Sequence, residues 1–301
     1  GDDRYVIAFA QFGELGMGGG GIANVGRPDK AVTTHEFGHA FSRLLDEYAN
    51  QPGPPQRMIG KTLRAPNVFV SRSKPSSNRV PWAHFLIGRA KRVGLYEGGA
   101  TYETGVWRPA QGCAMNATGH RDFCPVCREQ TILVIYEYVN PIDEVEPSPA
   151  REVVITEGDD ESLVVVPMKP LKHFLDAKWY VAPGSTAAPT AAKSSGPAEN
   201  AESDPEQRLV QLEGPRARED RSMYMDPPKG ERYRYRTFVK TKRKGKTVTP
   251  ARSVYSLAKL GVGTWRITCE VADNTRWVIK DTKHLLRERV TWTVTVKPKP
   301  G

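Results

Sequence analysis

Residues 34–48 read THEFGHAFSRLLDEY and contain the pattern His35-Glu36-x-x-His39. Side chains four residues apart on an α-helix lie on one face, so both imidazoles can reach the same cation. A hydrolytic zinc site takes three protein ligands and leaves one position open to water, and a neighbouring glutamate can act as the general base. We therefore predict a zinc site on a helix, with His35 and His39 as ligands and Glu36 as the base.

The first 140 residues mix helical and extended patterns. The motif predicts a helix from about Asp29 to Tyr48. A second long helix is expected over 122–140, capped by Asp122 with Pro125 in its first turn. Its apolar pattern predicts a buried side formed by Ile132, Leu133, Ile135, Tyr136 and Val139. Residues 4–12 are apolar and read as a strand. The glycine run at 18–21 is either a flexible turn or an edge strand along which an extended peptide could pair.

From residue 150 onward the pattern changes to short β-rich runs separated by turn signals. In the segment VTWTVTV the apolar residues alternate with threonines: Val290, Trp292, Val294 and Val296. This spacing predicts an all-β sandwich of immunoglobulin-like or fibronectin-like type. The composition of residues 141–149 predicts a linker, and the low-complexity stretch 183–207 predicts a loop without regular structure.

The positive charge is concentrated in the second half of the chain. The formal net charge is +10, and the first 150 residues carry 16 basic and 15 acidic side chains, leaving 28 basic and 19 acidic for the rest. Residues 229–246 interleave aromatic residues with Arg and Lys. They are either a solvated basic hairpin or a surface for an acidic polysaccharide or a cell surface, which we favour over nucleic acid. No apolar run is long enough to cross a bilayer.

Three of the four cysteines lie close together in the sequence: Cys113, Cys124 and Cys127. A Cys-x-x-Cys pair can be a redox motif, or the three could form a structural zinc site with His120. We favour a disulfide between Cys113 and one of the pair, which expects an oxidising compartment. Cys269 is far away in a strand-like segment.

Four segments in order carry a family resemblance: HEFGHAFSRLLDEY, GLYEGGATYETGVWRP, CAMN and FCPVC. They resemble the IgA-peptidase family of zinc metalloendopeptidases, which is metzincin-like, over about residues 5–139. The resemblance implies an α+β metzincin-like zinc-protease domain at 1–145, followed by an all-β immunoglobulin-like sandwich at 150–301. It also implies that Met115 is the Met-turn beneath the metal.

The third zinc ligand is not given directly by the motif. A metzincin supplies it six residues after the second histidine, and that position is Leu45, which cannot bind zinc. We favour Asp46, one residue later. In a continuous helix Asp46 would lie roughly 10 Å along the axis from His39. The helix must therefore break near Ser42 if Asp46 is a ligand.

Other residues remain candidates for the site. Glu47, Glu97 or His120 could supply the third ligand instead, and Asp46 or Glu47 could accept the second N–H of a liganded histidine. Tyr48 and Tyr102 are candidates for hydrogen bonding to a developing oxyanion or to substrate, although each is also an ordinary structural tyrosine.

The resulting hypothesis is a zinc-dependent endopeptidase that acts on an extended peptide or protein, for which the resemblance suggests IgA-like hinge peptides. We expect secretion to the extracellular space or periplasm. The opening GDDRYVIAFAQF lacks the basic region of a signal peptide, so we interpret the sequence as a trimmed or mature fragment. The alternative is a weak or inactive protease fold that binds a surface or an anionic polymer. The intact His35-Glu36-His39 pattern favours the enzyme.

Overall fold

The computed structural model describes residues 6–9, 17–19, 22–25, 30–55, 65–88, 90–116, 122–170, 173–184, 241–243, 246–248 and 252–300. The chain divides into two compact units. The first contains Gly1–Val139 together with Thr275–His284, and the second contains Asn140–Asn274 together with Leu285–Gly301. The predicted assignment of a catalytic domain to 1–145 and an accessory domain to 150–301 stays a prediction.

The first unit mixes helices and short strands. Within its described residues the helices are α1 (Lys30–Ala40), α2 (Ala83–Ile87) and α3 (Pro125–Tyr138). Its strands are β1 (Val6–Phe9), β2 (Met17–Gly19), β3 (Ile22–Val25), β4 (Ala49–Gln51), β5 (Phe69–Val70), β6 (Tyr96–Gly99) and β7 (Thr101–Arg108). One sheet has the order β1-β3-β2, and β2 and β3 lie next to α1. The other has the order β4-β7-β5, with β6 also paired to β7.

Helix α1 is shorter than the sequence predicted. It ends at Ala40 instead of continuing to Tyr48, and Asp29 lies outside the described residues. The amide groups of Ser42 and Leu44 both donate to the carbonyl of Gly38, and Arg43 has a positive φ of 58°. A left-handed residue after the last turn is a common way to end a helix. The break near Ser42, which a ligand role for Asp46 requires, is therefore confirmed.

Helix α3 starts later than expected, and part of its buried face was assigned incorrectly. Cys124, not Asp122, is the N-cap, while Pro125 occupies the first turn as predicted. The buried residues of α3 are Val126, Cys127, Glu129, Val134 and Tyr136. Ile135, which the apolar pattern predicted to be buried, is 40% exposed.

The core of the first unit joins α2, α3 and the segment before α3. Its buried members include the three clustered cysteines and Met115, together with Leu44, Val80, Trp82, Phe85, Trp107, Ala110 and Val126. Segment 275–284 contributes to the same unit: the Trp277 ring lies beneath the Arg128 guanidinium at 4.2 Å. The backbone amides of Ile279 and Lys280 donate to Glu129.

The second unit is built from strands. They are β8 (Ile142–Glu146), β9 (Val153–Thr156), β10 (Ser162–Pro167), β11 (Asp176–Pro183), β12 (Thr241–Arg243), β13 (Lys246–Val248), β14 (Ser253–Ser256), β15 (Gly263–Ala272) and β16 (Arg287–Lys297). One sheet has the order β14-β10-β8 and another the order β11-β15-β16-β9, in which β9 runs parallel to β16. Strands β12 and β13 form an antiparallel pair. Apolar side chains from the three-stranded and four-stranded sheets share one core.

Two predictions for the second unit have different outcomes. The alternation in VTWTVTV is confirmed, because Trp292, Val294 and Val296 are buried. The linker predicted at 141–149 is wrong for Ile142–Glu146, which forms β8 and pairs antiparallel with β10. Pairing with a neighbouring strand thus overrides the turn-like composition of this stretch. The low-complexity loop beyond residue 184 and most of the basic segment 229–246 lie outside the described residues.

Among the helices that the structure describes, none combines the length and apolar character needed to cross a membrane.

Candidate metal centre

Three side chains of the first unit bring their ligand atoms together at the end of α1. His35 Nε2 and His39 Nε2 are 3.1 Å apart, and Asp46 Oδ1 lies 3.1 Å from the first and 3.0 Å from the second. Zinc binds such atoms at about 2.0–2.2 Å, so the ligands of one ion lie roughly 3.0–3.5 Å from one another. The three atoms therefore have the spacing of ligands to a single ion.

The backbone fixes which nitrogen of each ring faces this point. His35 Nδ1 donates to the carbonyl of Ala114 at 2.8 Å, and His39 Nδ1 donates to the carbonyl of Leu44 at 2.7 Å. In a neutral imidazole the other nitrogen, Nε2, then carries only a lone pair. Two lone pairs and a carboxylate oxygen converge here without a donor between them. A divalent cation would satisfy all three acceptors, so these residues fit a metal.

The close approach of His35, His39 and Asp46 shifts the pKa of each side chain. Burial lowers the pKa of His35 and His39, but the protonated rings hydrogen-bond to Asp46 as well as to the backbone carbonyls, and this raises the pKa above the usual value. Burial raises the pKa of Asp46, whereas its contacts with the two imidazoles hold that pKa well below its usual range. The carboxylate therefore stays charged, and the site attracts positive charge.

Glu36 lies on α1 beside the first histidine and is almost fully buried. Its Oε2 atom has no hydrogen-bond partner among the described residues. Burial raises the pKa of its carboxyl group, and the two histidines only partly offset this. A carboxylate with a raised pKa and a free oxygen is suited to accept a proton near neutral pH.

The two candidate tyrosines, Tyr48 and Tyr102, are in different surroundings. The Tyr48 ring stacks on His35 with centroids 6.1 Å apart. Burial, with the charge of Asp46 and a hydrogen bond to it, raises the pKa of Tyr48. Tyr102 packs against the buried cluster of Ala65, Val68 and Val106. The described contacts thus connect Tyr48, rather than Tyr102, to the metal-ligand candidates.

Met115 is completely buried directly beneath α1. Its sulfur lies 2.5 Å from the position that a Cβ atom on Gly38 would occupy. Gly38, the glycine of HEFGH, therefore allows the Met115 segment to approach the helix. The sequence analysis gave Gly38 no role. A glycine inside a helix, where it is unfavourable, was the available signal.

Glu47 faces away from the histidines and towards the cysteines. Cys127 Sγ donates to Glu47 Oε1 at 3.0 Å, and Cys124 Sγ lies 3.9 Å from the same oxygen. The segment after α1 is not helical, and its consecutive residues Asp46 and Glu47 face different groups. The second N–H of each histidine is accepted by a backbone carbonyl, which is the role the sequence had offered to Asp46 or Glu47.

The three cysteines are free thiols in the structure, in contrast to the disulfide that the sequence favoured. One ligand atom from each of Glu47, Cys113, Cys124 and Cys127 lies within 4.8 Å of every other. Burial raises the pKa of Glu47 to about 8, and hydrogen bonds from the other two thiols lower the pKa of Cys113 to about 3. Sequence reasoning grouped the cysteines but did not place Glu47 with them.

Asn67 is a further residue that sequence reasoning missed. It is fully buried, and it bonds the amide and carbonyl of Leu45 and the carboxylate of Glu47 at 2.8–3.1 Å. It therefore fixes the segment that carries Asp46. Nothing in its irregular surroundings in the sequence marked it.

Glu97, a further alternative for the third ligand, has a different partner. Glu97 Oε1 accepts the amide of Gly105 within the β6–β7 hairpin. His120 lies outside the described residues.

A comparison with protein families matches residues 84–135 to the family model described as IgA Peptidase M64. The match includes Met115 and the three cysteines and does not reach the histidine motif. It supports assignment to the IgA-peptidase family and a metallopeptidase-type function. A comparison with curated proteins gave no match.

Proposed function

We propose that the chain is a zinc-dependent endopeptidase whose metal is held by His35, His39 and Asp46, with Glu36 as the general base. The observation that carries this proposal is the convergence of two Nε2 atoms and Asp46 Oδ1 at 3.0–3.1 Å. The match to a metallopeptidase family supports it independently, because it covers a different part of the chain.

The bound ion would supply the Lewis acid that polarises a scissile carbonyl and lowers the pKa of water. Glu36 accepts a proton from the attacking water through its unpartnered oxygen and donates it to the leaving amine. Asp46 keeps the site negative, and the carbonyls of Ala114 and Leu44 orient the two imidazoles. The Tyr48 hydroxyl, which is hydrogen-bonded to Asp46, donates to the developing oxyanion.

The substrate is an extended peptide or protein segment. Strand β2 pairs with β3 on one side and is an edge strand of its described sheet, next to α1. An extended peptide can add to such an edge by backbone hydrogen bonds. The glycine content of this strand favours close backbone approach. IgA-like hinge peptides are candidate substrates on the basis of the resemblance alone.

Three further features belong to the same proposal. The catalytic unit is metzincin-like, with Met115 beneath the metal, since the methionine packs against Gly38. The second unit is an immunoglobulin-like accessory domain, for which the shared core of two β-sheets is the support. As part of this proposal, the protein works outside the cytoplasm, in the extracellular space or the periplasm. No observation favours the alternative of an inactive binding module.

The experiment is cleavage of an unstructured protein such as casein by the full chain. Cleavage that stops with a chelator and returns with stoichiometric zinc supports the proposal. Cleavage that persists after complete metal removal contradicts it.

A further inference from the structure

We propose that Glu47, Cys113, Cys124 and Cys127 bind a second zinc ion, separate from the His35–His39–Asp46 centre, which holds together the segments that build that centre.

The four residues form a complete ligand set in a compact space. One ligand atom from each lies within 4.8 Å of the others, with Cys127 Sγ 3.0 Å from Glu47 Oε1. Cys113 Sγ also accepts the backbone amide of Cys124 at 3.2 Å, the kind of bond that stabilises a thiolate ligand. Thiolates favour zinc over magnesium or calcium, and four protein ligands are the number found in structural zinc sites.

The two centres differ in their access to solvent. All four members of the cysteine centre are buried, and Glu47 has no exposed surface. In the other centre the side chains of His39 and Asp46 are 14% and 21% exposed. Structural zinc sites are closed, whereas catalytic sites keep an open position. The cysteine centre therefore fits a structural ion.

Glu47 supplies an independent argument for a cation. Its Oε2 atom is buried and has no hydrogen-bond partner among the described residues. A buried carboxylate needs a counter-charge or further donors to offset its lost hydration. Arg108 is near enough to interact with Glu47, but its guanidinium donates to the backbone carbonyls of Glu97, Gly98 and Ala110. A metal ion bound to this carboxylate would supply the missing counter-charge.

A metal accounts for this arrangement better than a disulfide does. A disulfide would join two sulfur atoms and leave the third thiol and the Glu47 carboxylate without a charged partner. A redox role requires an accessible thiolate, and all three cysteines are buried. Only a shared cation uses all four groups.

The cysteine centre is connected to the histidine centre through the backbone. Glu47 directly follows Asp46, and its amide donates to the carbonyl of Met115 at 2.7 Å. Cys113 directly precedes Ala114, whose carbonyl orients His35. An ion at the cysteines thus fixes the 43–48 and 113–116 segments against the start of α3. That this ion supports cleavage rests on the proposed function, whereas the binding of the ion itself does not.

The first test needs no variant. We would measure zinc per chain in the purified 301-residue protein and count the cysteines alkylated after chelation and unfolding without reductant. We expect two zinc ions and four alkylated cysteines. Two alkylated cysteines would show a disulfide and overturn the proposal, and so would four alkylated cysteines with zinc only at the histidines.

Cobalt substitution separates the two centres. Only thiolate ligands give sulfur-to-cobalt charge-transfer absorption in the near ultraviolet, since His35, His39 and Asp46 provide none. We expect this absorption in the parent and in His39→Ala, its loss in Cys127→Ser, and no change in the control Cys269→Ser. Absence of the band in a cobalt-loaded parent would overturn the proposal. If His39→Ala keeps both the band and all of the parent's metal, the cysteine centre stands and the proposed catalytic centre fails.

Discussion

Asp46 and Glu47 are consecutive residues whose carboxylates face two different clusters. Asp46 Oδ1 lies 3.0 Å from His39 Nε2, and Glu47 Oε1 lies 3.0 Å from Cys127 Sγ. This division depends on the end of α1 at Ala40, because the chain after the helix is no longer helical. One short segment thereby contributes a carboxyl ligand candidate to each cluster.

The first prediction concerns Asp46. Asp46→Asn keeps the size of the side chain but removes the charge that faces the two histidines. Loss of even an outer partner of a metal ligand costs about 10- to 100-fold in affinity, so the zinc affinity of this centre should fall by more than about 100-fold. Competition with a zinc chelator measures it. The control is Asp160→Asn, at an exposed position between β9 and β10 in the second unit. Equal affinity in Asp46→Asn and the control would rule out Asp46 as a ligand.

The second prediction concerns the close contact between α1 and Met115. Gly38→Ala places a Cβ atom 2.5 Å from the Met115 sulfur, which is fully buried. Alanine favours the helix by up to about 1 kcal/mol, but overpacking a core costs about 1–3 kcal/mol, so the contact should decide the sign. Denaturant unfolding should show a net loss of stability.

Gly261→Ala is the matched control, because a Cβ atom there meets nothing within 4 Å. Met115→Ala combined with Gly38→Ala should destabilise less than the sum of the two single changes. Strict additivity would show that the contact carries no strain.

The third prediction distinguishes the two tyrosines. Tyr48→Phe removes the hydroxyl beside Asp46 and should lower kcat by roughly 10- to 1000-fold while KM changes little, as expected for a donor to the oxyanion. Tyr102→Phe should leave kcat close to that of the parent, since its ring packs in a separate hydrophobic cluster. Steady-state kinetics on one peptide measures both. The reverse order of effects would assign the role to Tyr102.

The fourth prediction concerns pH. In the metal-free chain the pKa values of His35 and His39 lie above 6.5, so their contribution to stability is present below that value and is lost as the pH rises through the raised pKa. Zinc needs the unprotonated rings, so its binding should strengthen over the same range by about tenfold per pH unit for each proton released.

Because the pKa of Asp46 is lowered, this carboxylate stays ionised over this pH range and its titration affects stability only in acid. The measurement is the zinc-induced shift in the unfolding midpoint at about pH 6 and about pH 8. The control is His39→Ala, in which the pH dependence of the shift should be smaller. A shift in the parent that does not change with pH would argue against histidine ligation.

The sequence identified those parts of the site that depend on local spacing. Four-residue spacing brings His35 and His39 together on any helix, and the break near Ser42 followed from the distance that Asp46 must cover. The orientation of Glu47 could not be predicted, because it depends on the register of a non-helical segment. The Gly38–Met115 contact joins residues far apart in sequence, so no local pattern contains it.

The differences in the fold have similar causes. Strand β8 was predicted as a linker because its composition is acidic and proline-rich, yet pairing with β10 stabilises it. The face of α3 that is buried was assigned from apolar periodicity alone. It instead includes Cys127 and Glu129, which contact Glu47 and segment 275–284. Contacts with residues distant in sequence therefore determine the strand at Ile142–Glu146 and the buried face of α3, which composition and periodicity alone do not predict.

The most direct test of the central claim compares the parent with Glu36→Ala for zinc content and for cleavage of casein in parallel. Glu103→Gln, at an exposed position in β7, controls for the loss of an acidic residue. We expect equal zinc in all three proteins, with cleavage in the parent and the control and at least about a 100-fold loss in Glu36→Ala. Undiminished cleavage by Glu36→Ala, or a parent whose histidine centre binds no zinc, would contradict the account.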